Sequence, residues 1–209
     1  MKLTNEWNRL VYRLWSPVYD ALISRFYERE RRRAVEALKL QRGERVLLVG
    51  IGTGADLPLL PEGVEAVGVD LSPDMLRRAQ SKLPLAGRAI ALVQADAQEP
   101  VLAESRFDAA IFNLILSVIP DGAACWREAL RVLKPGGRAI VFDKFLPENG
   151  SLTVGRRLLN LFTTLIGTDI NRRFSDLATG GGFAVVRDEP SVLRGAYRII
   201  EVRKDHHAI

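Results

Sequence analysis

A strand-like run, Val46-Leu47-Leu48-Val49, leads directly into Gly50-Ile51-Gly52-Thr53-Gly54-Ala55. Glycine suits a backbone that must turn sharply or that a ligand must approach closely. Twenty residues after Gly50 stands Asp70, at the end of the next apolar run, in Gly68-Val69-Asp70-Leu71-Ser72. A carboxylate there can accept hydrogen bonds from both hydroxyls of a ribose lying across strand ends. The pair does not name its ligand. Gly50-x-Gly52-x-x-Ala55 also satisfies the looser dinucleotide pattern, so nicotinamide and flavin chemistry stay open, as does a tight turn with no ligand.

Three further features narrow the choice. Gln94-Ala95-Asp96-Ala97 follows a third strand-like run and sets a carboxylate where an adenine amino group could reach it. Phe107-Asp108-Ala109-Ala110-Ile111-Phe112-Asn113 reads as a strand entered through an aspartate and left through a polar side chain. Leu130-Arg131-Val132-Leu133-Lys134-Pro135-Gly136-Gly137 then leads into Arg138–Asp143.

The elements that must position these residues follow from the pattern. Short apolar runs alternate with helical ones, as in βαβ units and a mostly parallel sheet. The expected strands are Arg45–Gly50, Val64–Asp70, Ile90–Gln94, Asp108–Asn113 and Arg138–Asp143, with two late ones at Ala184–Asp188 and Ala196–Val202. The early runs are nearly continuous in Val, Leu and Ile, which suits strands covered on both faces. Ser72-Pro73-Asp74 opens a helix with a capping serine and a proline in the first turn. A second helix fits Ala123–Leu133 and stops at Lys134-Pro135-Gly136-Gly137.

In this order and spacing the chain resembles the class I S-adenosylmethionine-dependent methyltransferases. The resemblance implies a Rossmann-like α/β fold with a seven-stranded, mostly parallel sheet, helices on both faces and an N-terminal helical lid. It implies one domain over 1–209, divided into a lid (1–42), a cofactor-binding core (43–145) and an acceptor-pocket helix with the last strands (146–209). The implied cofactor is S-adenosyl-L-methionine, held by Gly50, Gly52, Thr53, Gly54, Asp70, Leu71, Met75, Asp96, Ala97 and Asn113. In that family the glycine loop holds the methionine part, the acid after the second strand holds the ribose, and the Asp-Ala pair frames the adenine. Many members carry an acid two residues before the first glycine, where this chain has Leu48.

On the acceptor side, Trp15-Ser16-Pro17-Val18-Tyr19-Asp20, Leu116-Ser117-Val118-Ile119-Pro120-Asp121 and the ending Gly195–Arg203 are similar to bacterial phospholipid N-methyltransferases, with quinone-biosynthesis methyltransferases as neighbours. That resemblance implies Tyr19 as the catalytic-site residue and an acceptor amine of the phosphatidylethanolamine type. The alternatives are C- or O-methylation of a quinone precursor or other small hydrophobic acceptor, modification of RNA, and cofactor binding without catalysis. The donor's methyl group is already activated, so a neutral amine needs alignment more than an acid or base. Residues 7–27 carry an aromatic and apolar stripe at spacings of three and four, with Arg9, Arg13 and Arg25 between, which suits either a cofactor lid or an interfacial helix on an anionic membrane. A second stripe over 156–166 suits either a greasy acceptor site or core packing, and Arg172-Arg173 either a phosphate clamp or surface charge.

The chain has 209 residues, 47% hydrophobic and 26% charged, with a net charge of +5. No apolar run reaches the eighteen residues of a membrane span. The single Cys125 excludes an internal disulfide, and no metal is expected, since His206 and His207 both lie in the tail. Between residues 1 and 45, eleven Lys and Arg face six Asp and Glu, including the cluster Arg29-Glu30-Arg31-Arg32-Arg33. The expected partners are a lipid or small hydrophobic acceptor and a reversible contact with an anionic membrane, without nucleic acid. The start has no secretory signal pattern, and the expected location is the cytoplasm, at the inner membrane face where that contact forms.

Overall fold

The computed structural model describes residues 26–83, 89–99, 102–146, 148 and 170–206. Seven strands form one sheet: β1 (Arg45–Val49), β2 (Glu65–Asp70), β3 (Ala89–Gln94), β4 (Phe107–Asn113), β5 (Leu133–Lys144), β6 (Phe183–Pro190) and β7 (Tyr197–Lys204). Their order is β3-β2-β1-β4-β5-β7-β6. The first five pair in parallel, and β7 lies antiparallel to both neighbours, β5 and β6. This is the expected seven-stranded, mostly parallel sheet of a Rossmann-like fold.

Alternate residues of each central strand feed two separate cores. Leu47, Val49, Ala110, Phe112 and Val141 face one side, where α3 (Gly122–Val132) lays down Cys125, Trp126, Ala129 and Val132. Trp126 is the centre of that layer, with ring contacts to Phe112, Phe174 and Phe183 at 5.2–5.6 Å. Val46, Leu48, Ala109, Ile111, Ile140 and Phe142 face the other side, against Ala34, Val35 and Leu38 of α1 (Glu28–Ala37) and its C-cap. Strands buried on both faces read as unbroken apolar runs, which is why the sequence shows them so clearly.

The start signals behave as their chemistry demands. Ser72 caps α2 (Pro73–Gln80) by accepting from Met75 N–H at 3.4 Å, with Pro73 in the first turn. Asp121 caps α3 by accepting from Ala124 N–H at 2.8 Å. The short α4 (Phe174–Leu177) and α5 (Val192–Gly195) complete the described helices.

One expectation needs correction. Lys134–Gly137 is not a turn outside the sheet but a bulge at the start of β5. The register jumps from Phe107↔Leu133 to Ala109↔Arg138, so β5 spends three extra residues there. Gly136, at φ +73°, lets the backbone make that excursion. Lys134 Nζ and the Arg45 N–H both reach the Asp108 carboxylate, at 2.6 and 2.9 Å, and tie the bulge down.

The opening stripe 7–27 up to residue 25, Tyr19 and the second stripe 156–166 lie outside the described residues.

Candidate functional site

β1 and β4 are neighbours, yet the chain leaves β1 toward β2 on one side and reaches β4 only after β3 on that same side. The loops above the two strand ends therefore diverge and leave a crevice, which is where open α/β sheets bind ligands. An open cleft lies there. Gly50, Gly52, Thr53, Asp70, Leu71, Met75, Asp96, Ala97 and Asn113 all line it. The family resemblance implies these nine residues as cofactor-holding, and the sheet brings them together around one cleft. Gly54 is the exception: a Cβ there would strike Leu57 Cδ1 at 2.8 Å and Ala79 Cα at 3.1 Å. It lets the loop pack closely against α2 instead of facing the cleft.

Gly52, at φ +56°, is a different case. An added Cβ would meet nothing nearer than Gly50 O at 4.0 Å, so the loop presents bare backbone to open space. Its N–H donates to Asp70 Oδ2 at 2.8 Å, while Ser72 N–H donates to Asp70 Oδ1 at 2.9 Å. Asp70 thus fixes the loop and still lines the cleft. Burial pushes its carboxyl above the ordinary range, against the pull of the backbone N–H groups of Ser72, Gly52 and Leu71.

The Asp96 carboxylate is held by Gln98. Its amide nitrogen reaches both oxygens at 2.8 and 2.9 Å, and its backbone N–H adds a third contact. Gln98 Oε1 accepts from Asp121 N–H at 2.7 Å, which couples that acid to the start of α3. Thr53 Oγ1 accepts from Lys82 Nζ at 3.5 Å.

Asn113 closes the far end. Its amide nitrogen donates to Asp56 Oδ1 at 2.9 Å, and its amide oxygen has no hydrogen-bond partner among the described residues. The next residue, Leu114, sits at φ +63°, an unfavourable conformation for leucine that starts the segment 114–120. Leu114, Ile115, Val118, Ile119 and Pro120 of that segment form an apolar wall of the cleft.

Several of these residues were missed. Asp56 follows the glycine motif by two positions and lies outside the motif itself. Arg31 lines the cleft, and its Nη1 pairs with Asp56 Oδ1 at 2.9 Å, both side chains being 6% exposed. Its signal was present: Arg31, Ala34, Val35 and Leu38 follow the i, i+3, i+4, i+7 spacing of one buried helix face. Arg31 of the basic cluster is therefore buried and ion-paired, not part of an exposed basic face. Arg32 and Arg33 pair with Glu28 and Glu30, as the neighbouring acids suggest. Arg172 is not poised as a phosphate clamp: its guanidinium donates to the carbonyls of Leu116, Ile119 and Pro120 at 2.6–3.1 Å and braces the apolar wall.

Residues 47–141 match the family described as methyltransferase domain. The chain is 29% identical to the phosphatidylethanolamine N-methyltransferase of Cereibacter sphaeroides, over 92% of this chain and 95% of that protein. It is 38% identical over 143 residues to the ubiquinone/menaquinone biosynthesis C-methyltransferase of Syntrophotalea carbinolica, covering 64% of this chain and 60% of that one. The fold is shared with phosphoethanolamine N-methyltransferase 2 of Haemonchus contortus, solved with S-adenosyl-L-methionine, at a TM-score of 0.68 and 15% identity over 85% of this chain and 52% of that one. Fold, motif order and the match over residues 47–141 agree, and the chain is a methyltransferase with the class I fold that takes its methyl group from S-adenosylmethionine.

Proposed function

We propose that this methyltransferase N-methylates the amine of a phospholipid of the phosphatidylethanolamine type. The observation that carries the reading is the similarity to a phosphatidylethanolamine N-methyltransferase along nearly the full length of both chains. The apolar wall of Leu114, Ile115, Val118, Ile119 and Pro120 supports it, because a lipid-like acceptor needs a greasy approach to the cleft. Reversible contact with an anionic membrane belongs to the same proposal. Among the described residues no helix is long and apolar enough to cross a membrane, so the substrate would be met at the surface.

The residues present fit the cofactor. In this reading the Asp70 carboxylate accepts from the ribose hydroxyls, Asp96 and Ala97 frame the adenine, and bare backbone at Gly52 admits the chain that carries the sulfur. When bound, S-adenosylmethionine supplies a methyl group made electrophilic by its sulfonium. The protein's task is then to hold an unprotonated amine in line and to exclude water, which alignment and an apolar wall accomplish. Tyr19 is the proposed residue completing the acceptor side.

A second reading has its own support: the C-methyltransferase of quinone biosynthesis is more identical, though over a shorter span. Incubation with methyl-labelled cofactor and either phosphatidylethanolamine vesicles, a demethylated quinone precursor or RNA separates the readings. Label in the lipid amine is expected. Label in the quinone precursor alone would replace the lipid reading, and label in RNA alone would remove both.

A further inference from the structure

We propose that Arg172 is a positioning residue for methyl transfer: together with the Asp143 carboxyl it holds segment 114–120 against the glycine loop, and so sets where the methyl acceptor meets the donor. The inference rests on the reading above that this apolar wall receives the methyl acceptor, and the experiment below separates the two.

The backbone of the segment supplies the first argument. β4 ends at Asn113, and beyond it the chain leaves the ladder, so its polar backbone groups need other partners. Leu114 N–H still donates to Phe142 O at 2.8 Å, and Val118 and Ile119 N–H close a local turn on Ile115 O at 3.0 Å. Side chains supply the rest. Ser117 N–H donates to Asp143 Oδ2 at 2.9 Å, and the Ser117 hydroxyl donates to the same carboxyl. The carbonyls of Leu116, Ile119 and Pro120 accept from the Arg172 guanidinium at 2.7, 2.6 and 3.1 Å. A planar fork of five donors suits that task, whereas a lysine ammonium is a point charge on a flexible stem and does not hold three carbonyls in one fixed arrangement.

Strain supplies the second. Leu114 opens the segment at φ +63°, and such a conformation persists only where the surroundings over-determine it. Asp143 lies 26 residues from Ser117, and Arg172 lies 52–56 residues from the carbonyls it gathers. Two distant parts of the chain therefore fix one short stretch. Gly122 leaves room for the second of them, since a Cβ there would meet Arg172 Nη1 at 3.3 Å and Leu177 Cδ2 at 3.0 Å.

Place supplies the third. A Cβ on Gly50 would come within 2.5 Å of Ile115 Cδ1, so Ile115 rests on the bare backbone of the glycine loop. The same segment lines the cleft. It thus touches the loop proposed to admit the sulfur-bearing chain and faces the approach of the methyl acceptor. Transfer between two bound partners depends on their alignment, and a misplacement of about 1 Å can cost about 100-fold in rate.

The test uses the full chain, Arg172→Lys and Arg172→Gln, with whichever of phosphatidylethanolamine vesicles, the demethylated quinone precursor or RNA the wild type methylates. At saturating cofactor each variant should lose about tenfold or more in kcat, because alignment is impaired. Affinity for S-adenosylhomocysteine by calorimetry should stay within about threefold, which also reports a folded site. A glutamine variant that has lost its fold binds no S-adenosylhomocysteine, and the lysine variant then decides. A lysine variant with the wild-type rate, or a loss confined to KM for the methyl acceptor, would make Arg172 a mere charge and overturn its positioning role. Transfer to the quinone precursor in place of lipid would remove the lipid reading, while the same loss of kcat on that acceptor would still support the role of Arg172. Hydrogen exchange read by mass spectrometry needs no methyl acceptor: peptides over 114–120 should exchange about tenfold faster in either variant, with those over 45–70 unchanged. Unchanged exchange at 114–120, or faster exchange throughout, would overturn the inference.

Discussion

Replacing Asp70 with alanine tests the proposed cofactor contact most directly. The carboxylate lines the cleft and is held by the N–H groups of Gly52 and Ser72 at 2.8 and 2.9 Å. Two ribose hydroxyls donating to it would each contribute about 1.5–3 kcal/mol, as hydrogen bonds to a charged group do, and not strictly additively. The loss in Asp70→Ala is then about 2–4 kcal/mol, a drop of about 30- to 900-fold in affinity for S-adenosylhomocysteine. The two freed backbone N–H groups would face an open cleft and find water, so folding should survive. Asp70→Asn should also bind weakly, because its amide nitrogen must face one of those two N–H donors. Acid titration gives an independent check. Burial holds the Asp70 carboxyl above the ordinary range, so wild-type affinity should fall on acidification at a pH where an exposed aspartate is still ionised, and Asp70→Ala should show no such fall. Calorimetry from mildly acidic to neutral pH measures both effects. An alanine variant that stays folded and binds within about threefold of wild type would refute the contact, and tight NADH binding with no response to S-adenosylhomocysteine would refute the cofactor site.

Two further outcomes follow. Asp143 is fully buried, accepts from the N–H groups of Ser117 and Lys144 at 2.9 and 2.7 Å, and has its carboxyl pushed up by burial against the pull of Lys144 and Ser117. The folded state then holds the proton more tightly than the unfolded one, so this group's contribution to stability is complete below the ordinary aspartate range and is lost as pH rises through the raised value. Denaturant unfolding of Asp143→Asn from pH 4 to 7 should accordingly fall less with pH than wild type, and identical slopes would show that the buried carboxyl does not titrate there. Co-sedimentation with vesicles should be reversible, stronger with phosphatidylglycerol than with neutral lipid, and weakened by salt, at about 1 kcal/mol for each basic residue near the surface. Arg31 is excluded from that count by its burial, and Arg32 and Arg33 enter it reduced by their pairs with Glu28 and Glu30. Equal binding to both vesicles, or none, would move the acceptor away from membrane lipid.

The fold was legible because its signals are local. Unbroken Val, Leu and Ile runs mark strands covered on both faces, and Ser72-Pro73 marks a helix start from residues within one turn. The cleft was legible where a residue type is demanded by backbone geometry, as at Gly52, or by a strand end, as at Asp70 and Asp96. The rest depended on long-range pairing. The pairing of Arg31 is not visible in its chain neighbours, since its partner lies 25 residues away. Only the helical spacing to Ala34, Val35 and Leu38 sets it apart. The Lys134–Gly137 stretch reads as a stop in sequence, because proline and glycines look alike whether they end an element or bulge within a strand.

The departure at Leu48 connects these points. Many class I methyltransferases carry an acid two residues before the first loop glycine, whereas Leu48 here is 1% exposed and packs with Ala34 and Val35 in the α1-side core. A carboxylate at that position would need a polar partner within an apolar layer. The polar support comes instead from acids after the loop. Asp70 accepts from the Gly52 N–H, and Asp56 accepts from Arg31 and Asn113 on either side. Through that second carboxylate α1 and the end of β4 join the same hydrogen-bonded unit as the turn following the glycine loop. A change in α1 can then shift the wall of the cleft without touching the glycine motif.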